Sequence, residues 1–144
     1  MADQKGPPDV QAMLGSVPLF SSLSKSQLRT MATTAKERHY RDGETIVKQG
    51  EKGIGFYLIL AGQARVEKAG KPVAVLGAGQ YFGEMALLDE QPRTADVRAT
   101  GAVQCLVLSP WEFWSAVGEK PEVLRQLLKE TVRRIRSSPA ALSE

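Results

Sequence analysis

The sequence predicts an α+β domain: an antiparallel β-sandwich or small barrel set between a helical lead-in and a helical tail. Three observations predict it. Between Glu44 and Leu108, short apolar or alternating runs are separated by glycine turns every several residues, which is the pattern of an antiparallel β-body. On either side of that body, apolar residues recur at intervals of three and four behind serine caps, the helical signature. The chain has 144 residues, which is one domain's worth.

Each element follows in order. Residues 1–9, with Gly6, Pro7 and Pro8 among polar residues, read as a flexible arm. A short helical region comes next. Val17-Pro18-Leu19-Phe20 leads into Ser24, an N-cap for a helix from Lys25 to about Lys36. Leu28, Met31, Ala32 and Ala35 share a face there. Asp42-Gly43 marks a turn. Strands are expected at Thr45–Lys48, Phe56–Leu60, Gln63–Glu67, Val73–Leu76, Ala95–Ala99 and Val103–Leu108. Turns are expected at Gly50–Gly55, Gly70-Lys71-Pro72 and Gly77–Gln80, with a break at Gly62. Glu84-Met85-Ala86-Leu87-Leu88 has no strand alternation and strong helix formers, so a one-turn helix should interrupt the barrel. Ser109 and Pro110 open a tail helix as N-cap and first helical position. A second tail helix runs from near Pro121 to about Arg136, and residues 137–144 read as a flexible tail.

Composition excludes several functions. Nineteen Lys+Arg against sixteen Asp+Glu leave a net charge of +3, too small an excess to argue for nucleic acid. All of it sits in Glu119–Arg136, which carries six bases and three acids. One Cys and one His leave no internal disulfide, no His-rich metal site and no catalytic set. The longest apolar run, Ile54–Ala61, is interrupted by Gly55 and is too short to span a bilayer. The N-terminus lacks the apolar stretch of a signal peptide. The expectation is a cytoplasmic, non-enzymatic domain without metal or cofactor. His39 reads as a surface or interface residue and Cys105 as a small buried hydrophobe. Trp111, Phe113 and Trp114 read as packing the first tail helix on the barrel, with docking of a partner domain as the alternative.

The segment from Tyr81 to Val97 carries chemistry. A short helix beginning after Gly83 directs free N–H groups at an anion. Gly83 lets backbone approach a ligand. Glu84 can accept from two hydroxyls. Arg93 supplies a planar fork suited to phosphate oxygens. Thr94 and Ala95 add backbone N–H groups, and Thr94 a hydroxyl. A ribose carrying a phosphate would satisfy all of them.

Phe82-Gly83-Glu84-Met85-Ala86-Leu87-Leu88-x4-Arg93-Thr94-Ala95-x-Val97 resembles the phosphate-binding cassette of cyclic nucleotide-binding domains. These domains occur in cyclic-nucleotide-dependent kinases, gated channels and the bacterial catabolite-activator group. The motif fixes eleven residue types over sixteen positions. Val17-Pro18-Leu19-Phe20, Asp42-Gly43-Glu44, Gly50, Phe56–Ile59 and Gly62 extend the resemblance over nearly the whole chain. It implies an antiparallel β-roll, a double-stranded jelly-roll-like barrel over about 44–108, with lid helices over about 110–136. It also implies a ligand, cAMP or cGMP. Glu84 would bind the ribose 2′-OH with help from the Gly83 backbone, and Arg93 would pair with the cyclic phosphate. The N–H groups of Ala86 and Ala95 would bond phosphate oxygens, with Phe82 and Met85 completing the cassette. Threonine at the position of Thr94 is associated with cGMP in this family, which slightly favours cGMP. Asp96 departs from the usual Thr, Ser or Asn and is expected to be exposed on the face opposite Ala95 and Val97.

The tail supplies the rest of the reading. Leu124, Leu127, Leu128, Thr131, Val132 and Ile135 form an amphipathic stripe. The resemblance implies that this helix closes over the base. Arg134, at the stripe's edge, is the expected cap by cation–π stacking, and Val73 and Val75 are the expected floor, although core packing explains those two valines equally well. Ligand binding would shift the helix toward its docked position and signal to a fused or separate effector. A homodimer through the tail helix is a further expected partner; direct nucleic-acid binding and a membrane span are not. The alternative is a ligand-free structural or dimerisation domain of the same fold.

Overall fold

A computed structural model describes residues 9–53, 55–88, 91–118 and 121–136. Helix α1 (Val10–Gly15), a 3-10 turn (Pro18–Phe20) and α2 (Lys25–Thr34) precede the sheet. Strands β1 (Lys36–Tyr40), β2 (Thr45–Val47), β3 (Phe56–Lys68), β4 (Lys71–Leu76) and β5 (Tyr81–Phe82) follow. After a second 3-10 turn (Glu84–Leu87) come β6 (Asp96–Leu108), α3 (Pro110–Val117) and α4 (Pro121–Arg136). All pairings are antiparallel, in the order β1-β6-β3-β4, with β2 on β6 and β5 on β3. The predicted class is the observed one.

The helix starts are fixed locally. The Ser24 side chain accepts from the Gln27 N–H while the Gln27 side chain accepts from the Ser24 N–H. Ser109 and Glu112 repeat this reciprocal box at α3, with Pro110 in the first turn. Each box satisfies two donors that a bare helix end leaves orphaned.

Five expected elements differ. Helix α2 stops at Thr34, and Lys36–Tyr40 forms β1, which pairs with β6 from Lys36↔Val107 to Tyr40↔Val103. Its Lys-Glu-Arg-His-Tyr sequence is exposed along nearly its whole length. It therefore has no apolar alternation to read, and its charges guard an edge strand. The runs expected as Phe56–Leu60 and Gln63–Glu67 are one strand, β3, as are Ala95–Ala99 and Val103–Leu108 in β6. The chain continues through Gly62 (φ +92) by a register shift. A Cβ at Gly62 would strike the Ala102 carbonyl, so glycine there permits close strand approach instead of ending the strand.

The sheet is buried on both sides along Phe56–Leu60, which accounts for that unbroken apolar run. Phe56, Leu58 and Leu60 join the helices on one side. Phe20, Phe56 and Phe113 meet there, with Phe20–Phe56 centroids 5.1 Å apart edge-on. Tyr57 and Ile59 join Ala64, Val97, Ala99 and Cys105 on the other side. Cys105 is fully buried, and burial pushes its thiol pKa up to about 12.

Of the three α3 aromatics, Phe113 is buried and the Trp114 indole donates to the Leu87 carbonyl at 3.0 Å. Trp111 corrects the packing expectation, because at 79% exposure it projects outward from the first turn. Asp96 also differs: it is half-buried, and its carboxylate accepts from the Gln49 N–H at 2.6 Å. In α4 only part of the apolar stripe faces the body. Leu127 is buried, whereas Leu124, Leu128, Val132 and Ile135 are exposed. No helix among the described residues is long and apolar enough to cross a membrane.

Candidate ligand-binding site

Strand β5 ends at Phe82, and Gly83 (φ +83) turns the chain into the 3-10 turn Glu84–Leu87. The Ala86 N–H donates to the Gly83 carbonyl at 3.0 Å and so closes this turn. That amide was expected to face a phosphate; here the tighter 3-10 geometry occupies it. Glu84 is buried at 8% exposure.

The chain then returns alongside the Gly50–Gly55 loop. Lys52 and Pro92 form a bridge, the Arg93 N–H donates to the Glu51 carbonyl at 2.8 Å, and the Gly50 N–H donates to the Arg93 carbonyl at 2.9 Å. These bonds aim the Arg93 side chain inward. Its Nη2 donates to the Gly55 carbonyl at 2.5 Å, and its Cζ lies 5.7 Å from the Tyr57 ring centroid. Its Nε is buried without a hydrogen-bond partner. Burial lowers its pKa from the usual arginine value, opposed by the Tyr57 side chain. The guanidinium sits in a slot that only glycine permits, since a Cβ at Gly53 or at Gly83 would overlap it. A half-buried cation whose Nε is buried without a partner is arranged to receive an anion.

Gly83, Glu84, Ala86, Gln91, Pro92, Arg93 and Thr94 line one cleft of about 350 Å³. Five residues named from the sequence are thus brought together. Ala95 is half-buried and does not line it. Phe82 is half-buried beneath, stacked on Tyr57 at 4.8 Å and 6°. Val73 and Val75 do not line it either, and at 55% and 60% exposure core packing does not explain them. Val75 pairs with Arg65, while the neighbouring Leu76 pairs with the buried Ala64 and packs on the inner cluster. The side chains of Met85 and Arg134 lie outside the described residues. A larger depression of about 600 Å³ around His39, Tyr40 and Gln104 contains none of the cassette, and its arginine, Arg41, is exposed.

The sequence marks Gly55 as a turn glycine and Tyr57 as a strand residue, but neither they nor Gly53 as part of the site. Their role depends on two loops about forty positions apart meeting at Arg93, which no local pattern reports. Among the described residues no cluster of His, Cys, Asp and Glu is arranged to hold a metal.

Comparison with known proteins finds relatives for the chain and for its fold. Residues 37–119 match the model of the cyclic nucleotide-binding domain. The chain is 35% identical over 121 residues to a cAMP-dependent protein kinase regulatory subunit of Blastocladiella emersonii, covering 81% of this chain and 30% of that protein. It is 35% identical over 130 residues to the equivalent subunit of Mycosarcoma maydis, covering 84% and 25%. It therefore spans less than a third of the length of these curated relatives. Among solved structures, the N-terminal domain of a transcriptional regulator from Streptomyces coelicolor A3(2) superposes with a TM-score of 0.76 at 28% identity, covering 90% of this chain and 96% of that one. The regulatory domain of Toxoplasma gondii PKA, co-crystallised with cAMP, gives 0.69 at 30%, covering 86% and 49%. The sensor domain of the regulator DNR from Pseudomonas aeruginosa gives 0.74 at 21%, covering 87% of each chain, a likeness of fold alone.

Proposed function

The chain belongs to the cyclic nucleotide-binding domain family, and from that premise we propose that it binds a cyclic purine nucleotide in the cleft between Glu84 and Arg93 and signals the occupancy through α4. One observation carries the reading: Arg93 is held in a glycine-lined slot with its Nε buried and unpartnered. Such a donor is satisfied by an incoming oxyanion. Glu84, in the same cleft, accepts the ribose hydroxyl. Ala86 and Ala95 contribute backbone N–H groups once the 3-10 turn adjusts to the phosphate. Phe82 and Met85 shape the cassette, Val73 and Val75 offer exposed apolar surface to the base, and Arg134 caps it. The domain is regulatory, without catalysis of its own, and acts on a fused or separate effector. Titration with cAMP and cGMP tests the binding.

Both nucleotides have support. The relatives are named for cAMP, whereas Thr94 is exposed at the cleft with a hydroxyl suited to the guanine amino group. Thr94→Ala is expected to weaken cGMP more than cAMP, by several-fold, since one neutral hydrogen bond contributes about 1 kcal/mol. Titrating the variant with each nucleotide checks this; equal losses would remove Thr94 from base selection.

A second reading, a ligand-free dimerisation unit, is favoured by the exposed Leu128, Val132 and Ile135 of α4. Against it, Arg125, Lys129, Arg133 and Arg136 run beside that ridge and are exposed. Two copies meeting face to face would juxtapose like charges.

A further inference from the structure

We infer that Tyr57 is a positioning residue for Arg93, its ring face holding the guanidinium in the place where a carboxylate would ordinarily do so. This rests on the proposed role of Arg93 in gripping the nucleotide. An arginine held partly out of water is normally paired with an acid. Glu67 pairs with Arg65 and Arg98, and Glu130 pairs with Arg133. Neither pairs with Arg93, whose contacts are the Gly55 carbonyl and the Tyr57 ring.

Tyr57 is built to be rigid. It is 3% exposed, lies opposite Phe82 in the β3–β5 ladder and stacks parallel on its ring. At 5.7 Å the guanidinium is within the range at which a ring quadrupole attracts a cation. A ring face differs from a carboxylate in one respect that matters for a binding site. It orients the cation without neutralising it and accepts no N–H bond along the fork. The full charge therefore stays available to the phosphate. Phe82, directly before the Gly83 turn, fixes the Tyr57 ring from the opposing strand, so the cassette and its arginine share one support.

The test is a double-mutant cycle on the full chain, with cAMP as probe in calorimetric titration. Tyr57→Leu is expected to weaken binding about tenfold, or ~1.4 kcal/mol. Tyr57→Phe, which keeps the ring and loses only the hydroxyl, should stay within about twofold. In an Arg93→Ala background, Tyr57→Leu should cost nothing further, because the ring then has no cation to hold. Equal losses in the two backgrounds would overturn the inference and make Tyr57 a packing residue. So would Tyr57→Leu binding as well as the wild type. Should Tyr57→Leu fail to fold, Tyr57→Met, a more adaptable apolar replacement, enters the same cycle with the same expectations. An Arg93→Ala chain binding like the wild type would instead overturn the assignment of Arg93, and the inference with it.

Discussion

Arg93→Ala is expected to weaken cyclic-nucleotide binding at least tenfold while leaving the melting temperature unchanged or raised. The affinity loss follows from chemistry, since a charged hydrogen bond contributes roughly 1.5–3 kcal/mol and the guanidinium is the cation lining the cleft. The stability expectation follows from the ligand-free geometry. Arg93 keeps one carbonyl partner and one ring contact but buries an Nε with no partner. Removing it forfeits two modest interactions and also removes a desolvated donor, so the effects oppose. Thermal denaturation without ligand, beside titration with it, separates loss of the site from loss of the fold. A large fall in melting temperature would show that Arg93 is a structural strut instead of a waiting anion receptor.

Gly83→Ala should damage both fold and site. At φ +83 any side chain is strained, costing about 1–2 kcal/mol. The added Cβ would lie 2.6 Å from the Gly55 carbonyl and would also overlap the Arg93 guanidinium. Relieving that clash moves the carbonyl that holds Arg93 or the arginine itself. The combined stability loss is expected to be about 2–3 kcal/mol, lowering the melting temperature by roughly 5–10 °C. Binding should fall at least as far as in Arg93→Ala. The contrast is diagnostic, because only Gly83→Ala should lower both readings. A variant with native melting and native affinity would show that the slot tolerates a side chain and that its closeness has no function.

The cassette was legible because its chemistry is local. Gly83, Glu84, Arg93 and Thr94 lie within one short segment, and the fold brings all four to one cleft. The helix caps at Ser24 and Ser109 were legible for the same reason. Strand β1 was not, because its order comes from pairing with β6 and its side chains from Lys36 to His39 face solvent. Glycine carried two opposite meanings: Gly70 marks the β3–β4 turn, whereas Gly62 lies inside a strand and admits a neighbouring backbone. Tyr57 was hidden for a third reason. Its neighbours Phe56 and Leu58 face the helical core, and nothing in the run Phe56–Leu60 distinguishes the residue that meets Arg93. In α4 the periodicity revealed an apolar stripe but not its occupant, and Leu127 alone of its leucines is buried.

The central claim is that the cleft around Arg93 takes a cyclic purine nucleotide. Isothermal titration of the chain with cAMP and, separately, with cGMP tests it most directly. The expected result is saturable heat with at least one of them, one ligand per chain, reduced at least tenfold in affinity by Arg93→Ala. No heat from either nucleotide at high micromolar concentration, with the chain folded, would contradict it.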